Sequence, residues 1–199
     1  MEVIGLDKTP KIPISVMSLD LWYEGPTFVV ADKPKGMAVH PPDAEGSGTL
    51  VNGLLQSNRW LAEMETSHTP GVIHRLMPSD RGLVLVAKSD EMAETLRHLY
   101  QNRKITFSYR VRIPQNVTPR TVDSVTVYDH QVYDGIAVWD IDSPLGDTGE
   151  LRADWLGQQQ IDAYFVCYRM DIPAPQKPIR AGLGERIWLP AIDLYTVPP

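Results

Sequence analysis

Five consecutive apolar residues, Leu83-Val84-Leu85-Val86-Ala87, run between Gly82 and Lys88. Successive side chains of a strand point to opposite faces, so a run with no polar member leaves no face for water and specifies a strand covered on both sides. A chain that buries a strand this way needs neighbouring strands at its edges and packed layers above and below it. Its 199 residues suffice for that, since a chain of this size buries about 70% of the surface its unfolded form exposes.

The flanking sequence supplies those partners. Thr27-Phe28-Val29-Val30-Ala31 is a β-rich run bounded by Gly25-Pro26 and by Lys33-Pro34-Lys35-Gly36. Thr49 is placed to cap a helix whose buried stripe is Leu50, Val51, Leu54 and Leu55, and Ser89 or Asp90 to cap a second one carrying Met92, Leu96, Leu99 and Tyr100. Val72-Ile73 reads as a short strand. Residues 107–113 alternate at period two, with Phe107, Tyr109, Val111 and Ile113 on one side. Short strands punctuated by turns such as Asp134-Gly135 follow from Val122 to Trp139, and Ile161–Met170 and Ile187–Val197 supply more. The expected architecture is α+β: a mixed, mainly antiparallel sheet with helices on its flanks. An extended arm over residues 1–19 precedes one domain over 20–199.

The single cysteine, Cys167, excludes an internal disulfide and a cysteine zinc cluster, and its apolar surroundings make it a small buried side chain. No run is long and apolar enough to cross a bilayer, and the amino terminus lacks a basic stretch followed by an apolar core. A cytoplasmic protein without a membrane partner is therefore expected. The net charge of −6 argues against a generic nucleic-acid coat. The charge is segregated, however. Gly71–Arg112 holds eight basic and four acidic residues, whereas Asp123–Asp171 holds ten acidic and two basic. One basic face able to bind phosphates is compatible with that distribution.

Three stretches carry a more specific signal. They are Val29-Val30-Ala31-Asp32-Lys33-Pro34-Lys35-Gly36-Met37-Ala38-Val39-His40-Pro41, then Gly71-Val72-Ile73-His74-Arg75-Leu76-Met77-Pro78-Ser79-Asp80-Arg81-Gly82-Leu83 running into the apolar strand, then Tyr109 following Lys104. In this order they resemble the RluA family of RNA pseudouridine synthases, specifically from about Trp22 to Ile113. Thr148-Gly149-Glu150-Leu151-Arg152 looks like a shortened form of a later family motif, and Arg186-Ile187-Trp188-Leu189-Pro190-Ala191 with Pro198 is similar to the family's closing strand. No counterpart of the family's amino-terminal S4 RNA-binding domain is expected.

The resemblance implies the pseudouridine synthase catalytic-domain fold, structured RNA (ribosomal or transfer RNA) as partner, and neither metal nor organic cofactor. The family reaction breaks the glycosidic bond of a uridine, turns the base and rejoins it through carbon, with one aspartate beside the ribose. The uridine first leaves its helix, and an aromatic ring stacks on the flipped base. By resemblance Tyr109 is that ring, Arg152 pairs with the carboxylate, and His74 and Arg75 contact RNA; Arg81, from the basic Gly71–Arg112 stretch, is a further RNA contact, and Lys33 and Lys35, flanking Pro34, either touch phosphate or solvate a turn.

The chain departs from the family at the catalytic position. An ungapped match over His74–Gly82 puts Met77 where the family has its aspartate, and a thioether neither takes nor gives a proton. Pro78 stiffens the same loop, and Arg81 replaces a small serine. Met77 is then an apolar plug, and Asp80 is the candidate substitute carboxylate. Other residues keep two readings: Tyr109 as stacking ring or core tyrosine, and Arg152 as the carboxylate's partner or a surface charge paired to Asp154. His40 is a loop residue with no second histidine at metal-ligand spacing. The expected function is a family member that acts on or binds structured RNA with impaired catalysis. The alternative is a non-catalytic descendant that binds RNA, or a protein partner through the acidic 123–171 region.

Overall fold

The apolar run lies inside the sheet, as its composition demands. It belongs to strand β3 (Arg81–Ala87), where every residue after Arg81 is buried. The computed structural model describes residues 18–42, 46–58, 61, 64, 71–157 and 161–173. Residues 1–17 of the arm expected over 1–19, and the strand expected at 187–197, lie outside them.

Before β3 come β1 (Asp20–Glu24), β2 (Phe28–Lys33) and helix α1 (Leu50–Ser57); after it come α2 (Asp90–Gln101), β4 (Thr106–Pro114), β5 (Thr126–Tyr133), β6 (Ile136–Ser143), α3 (Thr148–Trp155) and β7 (Tyr164–Asp171). The seven strands form one sheet in the order β1-β2-β3-β7-β4-β6-β5. Every pairing is antiparallel except β3 with β7, which is parallel and rests on two register pairs, Arg81 with Val166 and Gly82 with Cys167. The sheet is thus mixed and mainly antiparallel. Gly82 makes the parallel join feasible: its φ is +120°, and a Cβ there would stand 2.1 Å from the Cys167 carbonyl oxygen.

The helices begin where their caps dictate. Thr49 and Asn52 form a capping box at α1, and the Ser89 hydroxyl accepts from the Met92 N–H at α2, with Asp90 and Glu91 complementing the helix dipole. A third helix, α3, goes beyond the two read from sequence periodicity. It is short and weakly amphipathic; its start is set by Asp147, which accepts from the Gly149 and Glu150 N–H groups, and buried Leu151 and Trp155, one turn apart, hold it to the sheet.

Strand alternation gives the sheet two different faces. Tyr109, Val111 and Ile113 of β4 are buried on the face where Trp155 of α3 meets Trp139 of β6, the register partner of Val111. Arg110 and Arg112 point to the opposite face. Among the described residues no helix is long and apolar enough to cross a membrane.

Candidate active site

The segment leading into β3 is threaded through the core before it reaches the surface. The Ile73 N–H donates to the Leu85 carbonyl, and the Ala87 N–H donates to the Gly71 carbonyl. His74 is buried beside them. Its Nδ1 lies 2.9 Å from the Gly146 carbonyl oxygen and its Nε2 accepts from the Leu85 N–H, which requires a neutral ring with the proton on Nδ1. Burial pushes its pKa down to about 4, against a smaller upward pull from the Gly146 carbonyl and Asp147. Gly146 permits this approach, because a Cβ there would stand 2.9 Å from the His74 ring and 2.7 Å from Phe107.

After Leu76 the chain turns sharply. Asp80 N–H donates to the Met77 carbonyl, closing a turn with Pro78 at its second position, where a fixed φ is favourable. The turn throws Met77 outward, 37% exposed and against Gly149 in the first turn of α3, and draws Asp80 inward to complete burial. Thr148 links the two. Its hydroxyl accepts from the Met77 N–H and hydrogen-bonds the Asp80 side chain.

The Asp80 carboxylate is saturated by the protein. Arg152 Nη2 lies 3.1 Å from Oδ1, and the Phe165 N–H donates to the same oxygen at 3.1 Å. Burial raises the Asp80 pKa above the usual carboxylate range, opposed by the Thr148 hydroxyl, Arg152, the Phe165 N–H and Lys33. Arg152 is itself mostly buried: Nη1 donates to the Ala163 carbonyl, and its guanidinium carbon lies 4.8 Å from the centre of the Phe165 ring. Lys33 closes the arrangement from β2, donating to the carbonyls of Pro34, Met37 and Asp80 at 3.0, 2.7 and 2.6 Å. Burial lowers its pKa to about 8, against the pull of Asp80 and Asp32.

The structure therefore brings Met77, Asp80, Arg152 and Lys33 together and rearranges the roles of several candidates. Lys33 and His74 are interior braces, so the direct RNA contact expected of both is corrected: neither side chain reaches the surface. Arg152 pairs with Asp80, not with Asp154, whose carboxylate accepts from the Ser124 hydroxyl. Tyr109 takes the core alternative. It is fully buried, donates to the Leu145 carbonyl at 2.8 Å and packs on Phe107 and Phe165, so its ring is closed to a base. Arg75 is the exposed cation of the turn, its Nε 2.6 Å from Asp147. Arg81 is tied to the buried Asp32 at 2.9 Å. It faces, with Lys35, the other side of the sheet.

Sequence reading missed Asp147 and Phe165 and gave Thr148 no role beyond its motif, although all three hold this turn in place. An aspartate before a helical start is a legible cap signal for Asp147; the Phe165 contribution is a backbone N–H and has no sequence signature. Among the described residues no group of three or more His, Cys, Asp or Glu could hold a metal.

Residues 27–160 match the model of the family described as RNA pseudouridylate synthase. The chain is similar to an uncharacterized RNA pseudouridine synthase of Bacillus subtilis, YlyB, with 39% identity over 93 residues, covering 47% of this chain and 31% of that protein. It is also similar to the ribosomal large subunit pseudouridine synthase D of Neisseria meningitidis serogroup B, with 37% identity over 94 residues, covering 47% of this chain and 24% of that one. The chain thus spans about a third or less of the length of these curated relatives. The solved structure of human RNA pseudouridylate synthase domain containing 1 aligns over 79% of this chain and 80% of its own, with 16% identity and a TM-score of 0.49.

Proposed function

Because the chain belongs to the RNA pseudouridylate synthase family, of RluA type, we propose that it binds structured RNA, ribosomal or transfer RNA in the cytoplasm, without converting uridine to pseudouridine. One observation carries this reading. The turn that corresponds to the family's catalytic loop presents a thioether to solvent, Met77, while its carboxylate, Asp80, is sealed inside and engaged by Arg152, Phe165 and Thr148. A carboxylate acts on a ribose only within hydrogen-bond reach of it. Asp80 would have to leave a buried ion pair to do so, and separating such a pair costs about 3–5 kcal/mol.

Retained RNA binding is supported by Arg75 on the same turn, whose side chain is 68% exposed although its Nε is held by Asp147. The acidic 123–171 region gives less support to a protein-docking reading, since Asp140, Asp142, Asp147 and Asp154 are each occupied by side chains of this chain.

The test has two parts. Uridine-containing ribosomal and transfer RNA incubated with the protein is digested to nucleosides and examined by mass spectrometry; no pseudouridine above the protein-free control is expected. Binding of an RNA hairpin is then titrated at two salt concentrations, with salt-sensitive affinity expected, weakened in Arg75→Ala because a phosphate contact is lost. Turnover that disappears in Asp80→Asn would overturn the proposal and make Asp80 the catalytic carboxylate. Absence of hairpin binding at low salt would remove RNA altogether.

A further inference from the structure

Strand β5 closes the sheet at one edge, and all eight of its residues are exposed. Among the described residues six large apolar side chains are exposed, and four of them, Val127, Tyr128, Val132 and Tyr133, stand on this one strand. An edge strand of that composition presents unpaired backbone groups between apolar side chains, the combination that recruits a further strand.

The hairpin fixes which backbone groups are free. Its two-residue turn has φ of +45° at Asp134 and +81° at Gly135, the type I′ geometry, which makes Tyr133 and Ile136 the closing hydrogen-bonded pair. Counting back from there, Gln131 and Asp129 also bond to β6, whereas His130 and Val132 turn their N–H and C=O groups to the open side. The stacking of His130 on Trp139, 3.9 Å between ring centres, agrees, because side chains approach more closely at a non-hydrogen-bonded pair. A bulge at Tyr128 ends the regular stretch on one side, and the turn at Asp134 ends it on the other. Residues 129–133 are therefore the usable edge. On it the His130 N–H is held by a stand-in acceptor, the Asp129 carboxylate, whose other oxygen accepts from the Gln131 amide. The Val132 N–H and the carbonyls of His130 and Val132 have no protein partner among the described residues.

We propose that β5 is a self-association edge, on which a second copy of this chain adds its own β5 antiparallel about a two-fold axis through Gln131. The outward residues allow three registers. His130 opposite itself sets the bulged Tyr128 against Val132, and Val132 opposite itself sets His130 against the turn, so each closes only two bonds. His130 opposite Val132 of the second copy closes four. In that register Asp129 meets Tyr133 of the second copy and Gln131 meets itself, so no like charges are opposed. The Asp129 carboxylate then exchanges the His130 N–H for a tyrosine hydroxyl, and a Val132 carbonyl takes its place. Pairing through five residues buries less area than a standard interface, so the dimer is weak and forms as concentration rises.

The test is sedimentation equilibrium from micromolar to millimolar concentration, run without RNA so that its outcome does not depend on the RNA reading. The mass is expected to rise from that of one chain toward that of two. Val132→Pro removes the outward N–H, and with it two of the four bonds, while β6 loses none; the dissociation constant is expected to rise at least about tenfold, with circular dichroism unchanged. Cysteine cross-linking with glutathione disulfide as oxidant reads the register independently. Gln131→Cys is expected to give a disulfide-linked dimer, because a non-hydrogen-bonded antiparallel pair sets its Cα atoms about 4.5 Å apart, within disulfide range. Tyr133→Cys is expected to stay unlinked, since its two copies lie four residues, about 14 Å, apart along the strands. The natural Cys167 is buried and serves as the unlinked control. The mass of one chain at every concentration would overturn the inference. So would dimerisation unaltered in folded Val132→Pro, or Tyr133→Cys cross-linking as readily as Gln131→Cys.

Discussion

Arg152 of α3 and Asp80 at the end of the turn before β3 form an ion pair at 3.1 Å, with the carboxylate fully buried and the Arg152 side chain 16% exposed. The pair joins segments 72 positions apart and fixes the turn against β7. Breaking a buried pair from one side leaves an uncompensated charge, which costs about 3–5 kcal/mol, whereas removing both charges costs less. Arg152→Met is therefore expected to lower the unfolding free energy by about that amount, and Asp80→Asn with Arg152→Met to recover much of it. Chemical denaturation of the two single variants and the double variant measures the coupling. Additive losses would mean that the two residues stabilise the fold separately.

Met77→Asp separates loss of chemistry from loss of fold. Met77 is partly exposed on a turn, and substitutions at such positions usually change stability by no more than about 0.5 kcal/mol. The variant should thus fold normally. It is nevertheless expected to form no pseudouridine, because Arg152, the cation that a carboxylate at position 77 would need, is already bound to Asp80. Pseudouridine in RNA treated with Met77→Asp, seen by nucleoside mass spectrometry, would show that Arg152 can exchange partners.

The parts legible in the sequence share a local physical cause. The β3 run, the Thr49 and Ser89 caps and the Asp134-Gly135 turn of the β5–β6 hairpin each follow from side-chain periodicity or backbone preference within a few residues. The motif around His74–Gly82 located the candidate site differently, through its resemblance to the family. What was not legible depends on distant partners. Lys33 reads as a loop cation, yet three carbonyl groups, one of them from Asp80, draw its ammonium inside. Tyr109 on an alternating strand is equally suited to a cleft or a core, and the Leu145 carbonyl decides for the core. Asp80 lies three residues from the position its family uses, and only the Pro78 turn reveals that its side chain points inward.

His74 makes stability sensitive to acid. Its pKa is about 4 in the folded chain against 6.5 for the free side chain, so between these values the unfolded state binds more protons and stability falls as pH falls. Full protection exists above about pH 6.5. The loss, complete near pH 4, amounts to about 3 kcal/mol at 1.36 kcal/mol per pKa unit. His40, also held down to about 4 by burial and by Arg75, acts in the same window. Asp80 acts oppositely, since its raised pKa makes the folded state the better proton binder. The His74 ring resonances should stay at their neutral positions from about pH 7 to pH 5 while the denaturation midpoint drops. A His74 titration centred near 6.5 would show that the ring is accessible to water.

Gly82→Ala should be far more damaging than an alanine at another glycine of positive φ. At Gly36, where φ is +87°, a Cβ meets nothing within 4 Å. The cost there is the backbone strain alone, about 1–2 kcal/mol. At Gly82 the same unfavourable sign of φ combines with a Cβ placed 2.1 Å from the Cys167 carbonyl oxygen and 2.7 Å from its nitrogen. Neither atom can yield without moving β7, because Cys167 is held on its other side by Tyr109 of β4. Only two register pairs join β3 to β7, so displacement there separates β1-β2-β3 from the rest of the sheet. Gly82→Ala is expected to lose more than about 4 kcal/mol, the range reserved for core disruption, and to unfold in two steps as the halves uncouple; Gly36→Ala should keep one cooperative transition. Thermal melts followed by circular dichroism and by tryptophan fluorescence compare the two, and equal midpoints for the two variants would show that the sheet does not depend on this join.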